Sequence, residues 1–365
     1  MTKIGIVMGT RPEIIKLSPI IKKLPSSKCS VIFTGQHYDY DLGLKFVEEL
    51  GLRTPDVTMK LKKSGNSPKD KATQIGEIVI NLAKSLSKEK PDATLVLGDT
   101  NTILAAGMAS LKNSIPLFHV EAGLRSFDWR MPEEHNRIVV DHISELLFAP
   151  TSNAKKNLES ESVHGSIFVT GNTVIDAVED NIDLAEKKSS ITIRYDDFIL
   201  VTFHRSENVD DPQTLGGMIK ALLESDTKFL FPIHPHTLKN LHLFGLYDKV
   251  ANSKNIILLE AIGYFDMLLL MKKCRFIVTD SGGLQEEATS PKIRKKVLVI
   301  RKTTDRPESI RLGFSELVGT TRQNIVRAIE RTLNNPNIHS RASPYGNGRS
   351  SEQIVNIISK YLRSS

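Results

Sequence analysis

Cysteine is scarce in this sequence: its 365 residues include two, Cys29 and Cys274. They lie far apart without the short spacing of metal or redox pairs, so both are predicted to be reduced core residues of a cytosolic protein. No stretch approaches the roughly 20 apolar residues of a membrane helix. The N-terminal apolar run is soon interrupted by charge, unlike a secretory signal. We therefore expect a cytoplasmic protein without a membrane partner.

Several nucleotide-binding and catalytic signatures are also missing. No G-x-G-x-x-G segment follows a strand, which argues against an NAD site. No G-x-S-x-G elbow and no G-K-[S/T] phosphate loop occurs. His234 and His236 lie close together but lack a third ligand at usable spacing. The sequence therefore predicts neither a metal nor another cofactor.

The composition is that of an ordinary soluble protein, with 40% hydrophobic and 25% charged residues. The formal net charge of +7 suits an anionic substrate, although a solvated surface explains it equally well. No basic helix or aromatic platform accompanies this charge, so nucleic acid is not an expected partner. The length favours two domains.

Short apolar runs, each followed by a helical pattern, recur along both halves of the chain. Because they lack polar alternation, they predict parallel strands that are buried on both faces. The predicted strands are 3–8, 31–34, 93–97, 116–120, 146–149, 167–170, 198–203, 228–233, 256–260, 276–279 and 296–300. The predicted fold class is therefore α/β, with two doubly wound Rossmann-like domains facing each other across a ligand-binding cleft.

The polar segment 187–196 separates the two series of strands and marks the expected hinge. The predicted domains are residues 1–187 and 188–348. A turn at 344–348 precedes a final apolar helix from about 351 to 361.

Polar residues gather directly after the predicted strands. Loops at the carboxyl ends of parallel strands are where this architecture places its chemistry. Each segment alone fits an ordinary satisfied loop equally well, but their recurrence at one topological position favours a site. The segments are 9–13 with Lys16 one turn on, 35–37, 98–101, 119–125, 204–208, 234–236 and 280–283.

A phosphate-binding loop is predicted at Ser281, Gly282 and Gly283, which follow a buried strand and begin a helix. Glycines let a phosphate approach the backbone, and a helix N-terminus supplies unpaired N–H groups. Glu286 or Glu287 would then be near enough for ribose hydroxyls. The alternative is a Ser-capped helix with acidic residues in its first turn.

Arg306 precedes Pro307, which suits the first position of a helix. Arg306 is therefore a candidate for gripping a phosphate or a base edge, with a surface arginine as the equal alternative. Arg11 likewise precedes a proline after the first predicted strand, and Lys16 lies on the helix that follows.

Two further segments suggest site residues. In 131–138, Glu133 and Arg137 lie one turn apart and are predicted to pair, although a dipole-stabilising first turn is the simpler interpretation. His204 ends an apolar strand and is interpreted as a donor to an anionic leaving group, with a satisfied core histidine as the alternative.

Taken together, these segments resemble the non-hydrolysing UDP-N-acetylglucosamine (UDP-GlcNAc) 2-epimerase family, which has a GT-B fold. The matching blocks follow the family's order across nearly the whole chain. They are GTRPEIIKLSP (9–19), TGQH (34–37), GDTNT (98–102), HVEAGLR (119–125), MPEEHNRI (131–138), TGNTVIDA (170–177), HRSEN (204–208), SGGLQEEA (281–288), TTDRPE (303–308) and PYGNG (344–348).

The resemblance implies that the C-terminal domain holds UDP, that the sugar faces the N-terminal domain, and that the helix within 349–365 crosses back to the N-terminal domain. Implied substrate-binding residues are Arg11, Lys16, Arg137, His204, Ser281, Gly282, Gly283, Glu287 and Arg306. Implied catalytic residues are Asp99, Glu121, Glu133 and His204. The family also implies a homodimer that interconverts UDP-GlcNAc and UDP-N-acetylmannosamine (UDP-ManNAc) for surface polysaccharide or glycan synthesis.

The chemistry explains this set of residues. The C2 proton of the sugar is hardly acidic, so an enzyme must oxidise a neighbouring carbon or expel UDP and pass through a glycal. The missing NAD fingerprint favours elimination, which needs a base, an acid and donors for UDP. Asp99 and Glu121 are the leading pair, with Glu133 in support, and which is base and which is acid stays open. Retention of UDP implies domain closure.

The sequence departs from bacterial members of the family at a second, regulatory UDP-GlcNAc site. Gln36 and His37 match that site, but the block continues differently at 38–40, and Ser206 stands where bacterial members usually have arginine.

Three other functions share some of these features. A GT-B glycosyltransferase would use the nucleotide half but has no need of the carboxylates. A hydrolysing epimerase would let water capture the glycal, and some relatives act on UDP-diacetamido-uronic acids. A UDP-sugar sensor would keep Ser281 and Arg306 without needing Asp99.

Overall fold

The computed structural model describes residues 2–35, 46–61, 67–338 and 342–364. The chain divides into two compact units, Met1–Ala177 with Tyr345–Ser365, and Val178–Pro344. The predicted domain boundaries stay predictions. Gln36 and His37, the predicted regulatory residues, lie outside the described residues.

The first part of the chain alternates strands and helices because apolar, mostly β-branched runs are separated by capped amphipathic segments. Its elements are β1 (Ile4–Met8), α1 (Arg11–Lys23), a short 3-10 helix (Ser26–Lys28), β2 (Cys29–Phe33), β3 (Val57–Thr58), α2 (Pro68–Glu89), β4 (Ala93–Leu97), α3 (Asn101–Lys112), β5 (Leu117–Val120), α4 (Pro132–His142), β6 (Leu146–Ala149), α5 (Ser152–Ser160), β7 (Ser166–Val169) and α6 (Thr173–Lys188).

The second part repeats the alternation. Its elements are β8 (Ile199–Thr202), α7 (Ser206–Val209), α8 (Pro212–Leu223), β9 (Phe229–Pro232), α9 (Pro235–Leu243), α10 (Tyr247–Ala251), β10 (Ile256–Leu259), α11 (Tyr264–Lys273), β11 (Ile277–Thr279), α12 (Gly282–Glu287), β12 (Val297–Val299), α13 (Pro307–Arg311), β13 (Ser315–Leu317), α14 (Arg322–Asn334) and α15 (Ser350–Ser364).

Each unit contains one parallel sheet, and the two sheets have the same kind of strand order. The first runs β3-β2-β1-β4-β5-β6-β7, and the second runs β10-β9-β8-β11-β12-β13. In both, the order reverses beside the first strand of the unit, between β1 and β4 and between β8 and β11. Ligands of open α/β sheets bind outside the carboxyl ends of the strands at this switch point. The predicted class, two doubly wound α/β sheets, is confirmed.

Two edge strands escaped the sequence analysis. β3 has two residues and β13 has three, and both are partly exposed. Such short, half-buried segments carry no continuous apolar run, so the pattern that revealed the central strands is missing from them.

The final helix, α15, belongs to the first unit and packs against α1. Asp176 of α6 is buried and accepts hydrogen bonds from the backbone N–H of Ser350 (3.1 Å) and of Ser351 (2.7 Å), which satisfies the beginning of α15. The Tyr361 ring lies edge-on to Phe118 of β5, with centroids 5.3 Å apart. Across the described ranges, no helix combines the length and the apolar content that a membrane crossing requires.

Candidate active site

A buried carboxylate organises the switch point of the first sheet. Glu13 Oε2 accepts hydrogen bonds from the backbone N–H of Gly9 (2.5 Å) and of Thr10 (3.1 Å), and its Oε1 accepts from the Thr100 hydroxyl (2.6 Å). Burial raises the pKa of Glu13 to about 7, although these hydrogen bonds oppose the rise. Glu13 therefore ties the loop after β1 to the loop after β4. The Thr-x-x-Glu spacing of a capping box was the available signal for this residue.

Asp99 follows β4 in the second of these loops, and its side chain is 30% exposed. It pairs with Arg137 of α4. The predicted pair of Arg137 with Glu133 is wrong, because Arg137 Nη1 lies 3.1 Å from Oε2 of Glu134. Glu134 is buried whereas Glu133 is partly exposed, so the interior arginine meets the inward-facing neighbour.

Glu121 follows β5 and is also buried. Its φ of 71° is uncommon for a non-glycine residue, and such strained positions often occur at functional sites. Its Oε1 accepts from the Lys16 ammonium at 2.5 Å and from the Asn172 side-chain amide at 3.0 Å. Lys16, expected to face the nucleotide, thus pairs with a candidate catalytic carboxylate. Asn172 had no predicted role.

A buried polar network supports both carboxylate-bearing loops. Asp141 of α4 accepts from the backbone N–H of Gly123 (3.1 Å) and contacts Arg125 (2.7 Å) and Nδ1 of His119 (2.7 Å). The other ring nitrogen of His119 lies 2.8 Å from the carbonyl oxygen of Gly98. Burial alone would raise the pKa of Asp141, but its basic neighbours outweigh burial and lower it. Asp141 therefore supports the loop after β5 directly and the loop after β4 through His119, a role that the sequence analysis missed.

The switch point of the second sheet is built around His204 and Asp280. Asp280, fully buried after β11, accepts from the backbone N–H of His204 and of Arg205, and from the Asn208 amide, each at 3.1 Å. Nδ1 of His204 lies 3.3 Å from the same carboxylate. Burial lowers the pKa of His204, and Asp280 opposes that effect. The imidazole is thereby oriented, while its side chain stays 37% exposed.

The predicted phosphate loop begins α12. Ser281 accepts a long hydrogen bond from the backbone N–H of Leu284 (3.4 Å), so the capped helix of the alternative interpretation is present. Gly282 lies beside Arg306: a Cβ at this glycine would be 3.6 Å from the guanidinium carbon. Gly283 occupies the next helical position. The predicted phosphate-binding groups are thus neighbours within the second unit.

Arg306 is buried, in contrast to the surface arginine of the alternative. Its Nε donates to Oε1 of Glu286 at 2.9 Å, and its Nη1 pairs with Asp305, which Arg301 also contacts at 3.3 Å. Pro307 occupies the first turn of α13, as predicted. The carboxylates hold the guanidinium in one orientation beside α12.

The remaining predicted residues are more loosely placed. Arg11 is exposed at the beginning of α1, with its guanidinium carbon 4.2 Å from the ring centre of Phe46. Glu287 is buried at the end of α12. Glu133 stands partly exposed in the first turn of α4. The structure thus brings predicted residues together as four pairs, two in each unit: Asp99 with Arg137, Lys16 with Glu121, His204 with Asp280, and Gly282 with Arg306.

These sheets and their switch-point residues define an α/β protein of the doubly wound, Rossmann-like class, with carboxylates after the strands of one unit and a histidine and an arginine after those of the other. A sequence profile of the family described as UDP-N-acetylglucosamine 2-epimerase matches residues 20–359. The chain belongs to this family.

Individual relatives extend the match. A UDP-N-acetylglucosamine 2-epimerase of Methanocaldococcus jannaschii is 42% identical over 369 residues, covering 98% of both chains. The crystal structure of the M. jannaschii UDP-GlcNAc 2-epimerase in complex with UDP-GlcNAc and UDP has a TM-score of 0.88 at 41% identity, covering 98% of this chain and 100% of that one. A UDP-2,3-diacetamido-2,3-dideoxy-D-glucuronate 2-epimerase of Pseudomonas aeruginosa is 32% identical, covering 98% of this chain and 99% of its own.

Proposed function

We propose that this protein is an isomerase that reversibly interconverts UDP-GlcNAc and UDP-ManNAc. The observation that carries the proposal is the 42% identity to the M. jannaschii UDP-N-acetylglucosamine 2-epimerase across 98% of the chain. The carboxylates and cations at the two switch points support it, because epimerisation at C2 requires proton transfer and control of a diphosphate. UDP-ManNAc formed in this way would supply glycan synthesis.

The proposed reaction runs through a glycal. A base takes the C2 proton, the C–H electron pair becomes the C1–C2 double bond, and the C1–O bond breaks with its electrons leaving on UDP. A UDP oxygen then adds back to C1 while an acid returns a proton to the opposite face of C2. Asp99 and Glu121 are the leading acid–base pair, with Glu133 in support. Paired carboxylates in different surroundings suit proton removal and proton return.

The second unit would stabilise the departing diphosphate. The backbone N–H groups of Gly282 and Gly283 lie near the guanidinium of Arg306, and fixed donors of this kind stabilise developing negative charge. His204, oriented by Asp280, would donate to the leaving group, and Glu287 would bind the ribose.

The test is proton NMR of the purified protein with UDP-GlcNAc in heavy water, without added NAD or metal. We expect UDP-ManNAc with deuterium at C2, because the proton that returns comes from solvent. Free ManNAc with UDP would assign the chain to the hydrolysing class instead. UDP-2,3-diacetamido-2,3-dideoxy-glucuronate, the sugar nucleotide in the name of the P. aeruginosa relative, is tested as a substrate in parallel. Turnover of that sugar alone would overturn the proposed substrate.

Sedimentation of the purified protein tests the expected homodimer.

A further inference from the structure

Asn172, between β7 and α6, uses both ends of its side-chain amide. It is buried, and its Oδ1 accepts from the backbone N–H of Val174 at 2.9 Å, which caps the beginning of α6. Its Nδ2 donates to Oε1 of Glu121 at 3.0 Å. The cap needs only an oxygen, whereas the contact with Glu121 needs an N–H donor.

The backbone around Asn172 is fixed from both sides. Its own N–H donates to the carbonyl oxygen of Tyr345 at 2.7 Å. The preceding residue, Gly171, has a φ of +83°, and a Cβ there would lie 2.8 Å from the same carbonyl oxygen and 2.5 Å from the hydroxyl of Ser350. Only glycine fits at so short a distance, so the loop that carries Asn172 packs closely against the C-terminal segment that contains Tyr345 and Ser350.

Lys16 and Asn172 donate to the same oxygen of Glu121. Lys16 Nζ lies 2.5 Å from Oε1, the oxygen that also receives the Asn172 amide. Oε2 faces the loop after β4: a Cβ at Gly98 would be 3.8 Å away from it. Gly98 directly precedes Asp99. The carboxylate is therefore held in one rotation, with its second oxygen toward the loop that carries the other candidate carboxylate.

We propose that Asn172 is a positioning residue for the epimerisation: together with Lys16 it holds Oε1 of Glu121 and so sets the rotation of that carboxylate. This inference rests on the proposed function, since it assumes that Glu121 acts on the sugar.

Two substitutions separate positioning from capping. Asp and Ser are both good N-caps, so Asn172→Asp and Asn172→Ser should keep α6 and the fold. Neither supplies the amide donor, and Asp adds a negative charge beside Glu121. A nearby like charge raises the pKa of a carboxylate. The other charged groups to be considered are Lys16 on α1 and Asp99 after β4.

The measurement is the pH dependence of kcat for the conversion of UDP-GlcNAc, with KM determined at each pH. For Asn172→Asp we expect kcat to fall on the order of 100-fold with KM little changed, because a reacting group is misplaced. The pH limb that belongs to Glu121 should move up by about one unit or more, whether Glu121 acts as base or acid. Asn172→Ser should lower kcat about 10-fold, the effect of one hydrogen bond, and should move the limb up by less than Asn172→Asp, because it removes the donor without adding a charge.

Asn113→Asp is the matched control, because Asn113 also donates its amide, to the carbonyl oxygens of Ala83 and Ala109, but at the far end of α3. It should keep the wild-type pH profile. Wild-type kcat and an unmoved limb in folded Asn172→Asp and Asn172→Ser would reduce Asn172 to a helix cap and overturn the inference. An inactive wild type would instead overturn the proposed function, and an active Glu121→Gln variant would remove the role of Glu121 itself.

Discussion

The two sheets use the same device at their switch points but surround it with different chemistry. In the first, Glu13 accepts from the backbone N–H groups of the loop after β1; in the second, Asp280 accepts from those of the loop after β8. The further donor to Glu13 is the neutral hydroxyl of Thr100, whereas Asp280 lies beside the His204 imidazole. One carboxyl group thus lies where burial favours its protonated form, and the other orients an imidazole.

The two units also differ in the charged groups that lie farther from each switch point. Candidate acid–base carboxylates follow the strands of the first unit, and a buried guanidinium lies beside the glycine loop of the second. Strand order alone therefore does not decide what a switch point binds. We expect the charge that each loop carries to decide it, so substitutions in the two units should have separable effects.

Glu13→Gln should give the largest change in stability. Because the pKa of Glu13 is raised from 4.5 to about 7, the folded state binds this proton more tightly than the unfolded state, so the free energy of unfolding falls as pH rises from 4.5 to about 7. Glutamine mimics the protonated acid. We expect near-equal stability around pH 5 and an advantage for the variant of up to about 3 kcal/mol at about pH 8. Thermal unfolding at both pH values measures it.

Glu330→Gln, on the exposed face of α14, is the control and should show no such pH-dependent difference. If Glu13→Gln were instead less stable than the wild type at the higher pH, Glu13 would be ionised without penalty, and its contrast with Asp280 would disappear.

Arg306→Lys should weaken UDP binding about 10- to 100-fold. Lysine keeps a positive charge opposite Glu286 but loses the planar fork that suits a diphosphate, and a charged hydrogen bond contributes roughly 1.5–3 kcal/mol. Calorimetric titration with UDP measures the change. Arg331→Lys serves as the control, because Arg331 forms an exposed ion pair with Glu316. An unchanged UDP affinity in Arg306→Lys would remove the nucleotide from this part of the second unit.

Asp280→Asn should lower kcat about 10-fold at about pH 8. Burial already lowers the pKa of His204, and Asp280 opposes it, so loss of that charge lowers the pKa further. The protonated donor is then lost at lower pH, and the alkaline limb of the kcat profile moves down. Asp210→Asn, which removes a partner of His236, should leave the profile unchanged. An upward shift in Asp280→Asn would contradict the proposed role of His204 as a donor.

Glu161→Gln should have the smallest effect. Glu161 contacts Arg125 at 2.6 Å from a partly exposed position, while Asp141 still pairs with the same guanidinium. The loss in unfolding free energy should be about 1 kcal/mol or less, measured by thermal unfolding, with kcat retained. A large fall in kcat would mean that the network supporting the first unit's loops extends to the surface.

The sequence was informative where the signal is local. Continuous apolar runs revealed the central strands and therefore the loops that carry Asp99, Glu121 and His204. It was silent where the partner is distant: Asn172 caps a helix in a recognisable way, but its second partner lies 51 positions away. Local spacing also gave the wrong partner for Arg137. Glu133 and Glu134 are adjacent and both within its reach, and the buried one, Glu134, forms the pair.

We propose that the first unit transfers the proton and that the second unit holds the nucleotide. Asp99→Asn tests it most directly, with UDP affinity and turnover of UDP-GlcNAc measured on the same preparation. We expect a UDP Kd within about 2-fold of the wild type, since a substitution outside the binding contacts changes little. We also expect a kcat lower by about 10²- to 10⁴-fold, the usual contribution of a general acid or base. Full turnover, or a loss of UDP binding that accounts for the lost activity, would contradict the proposal.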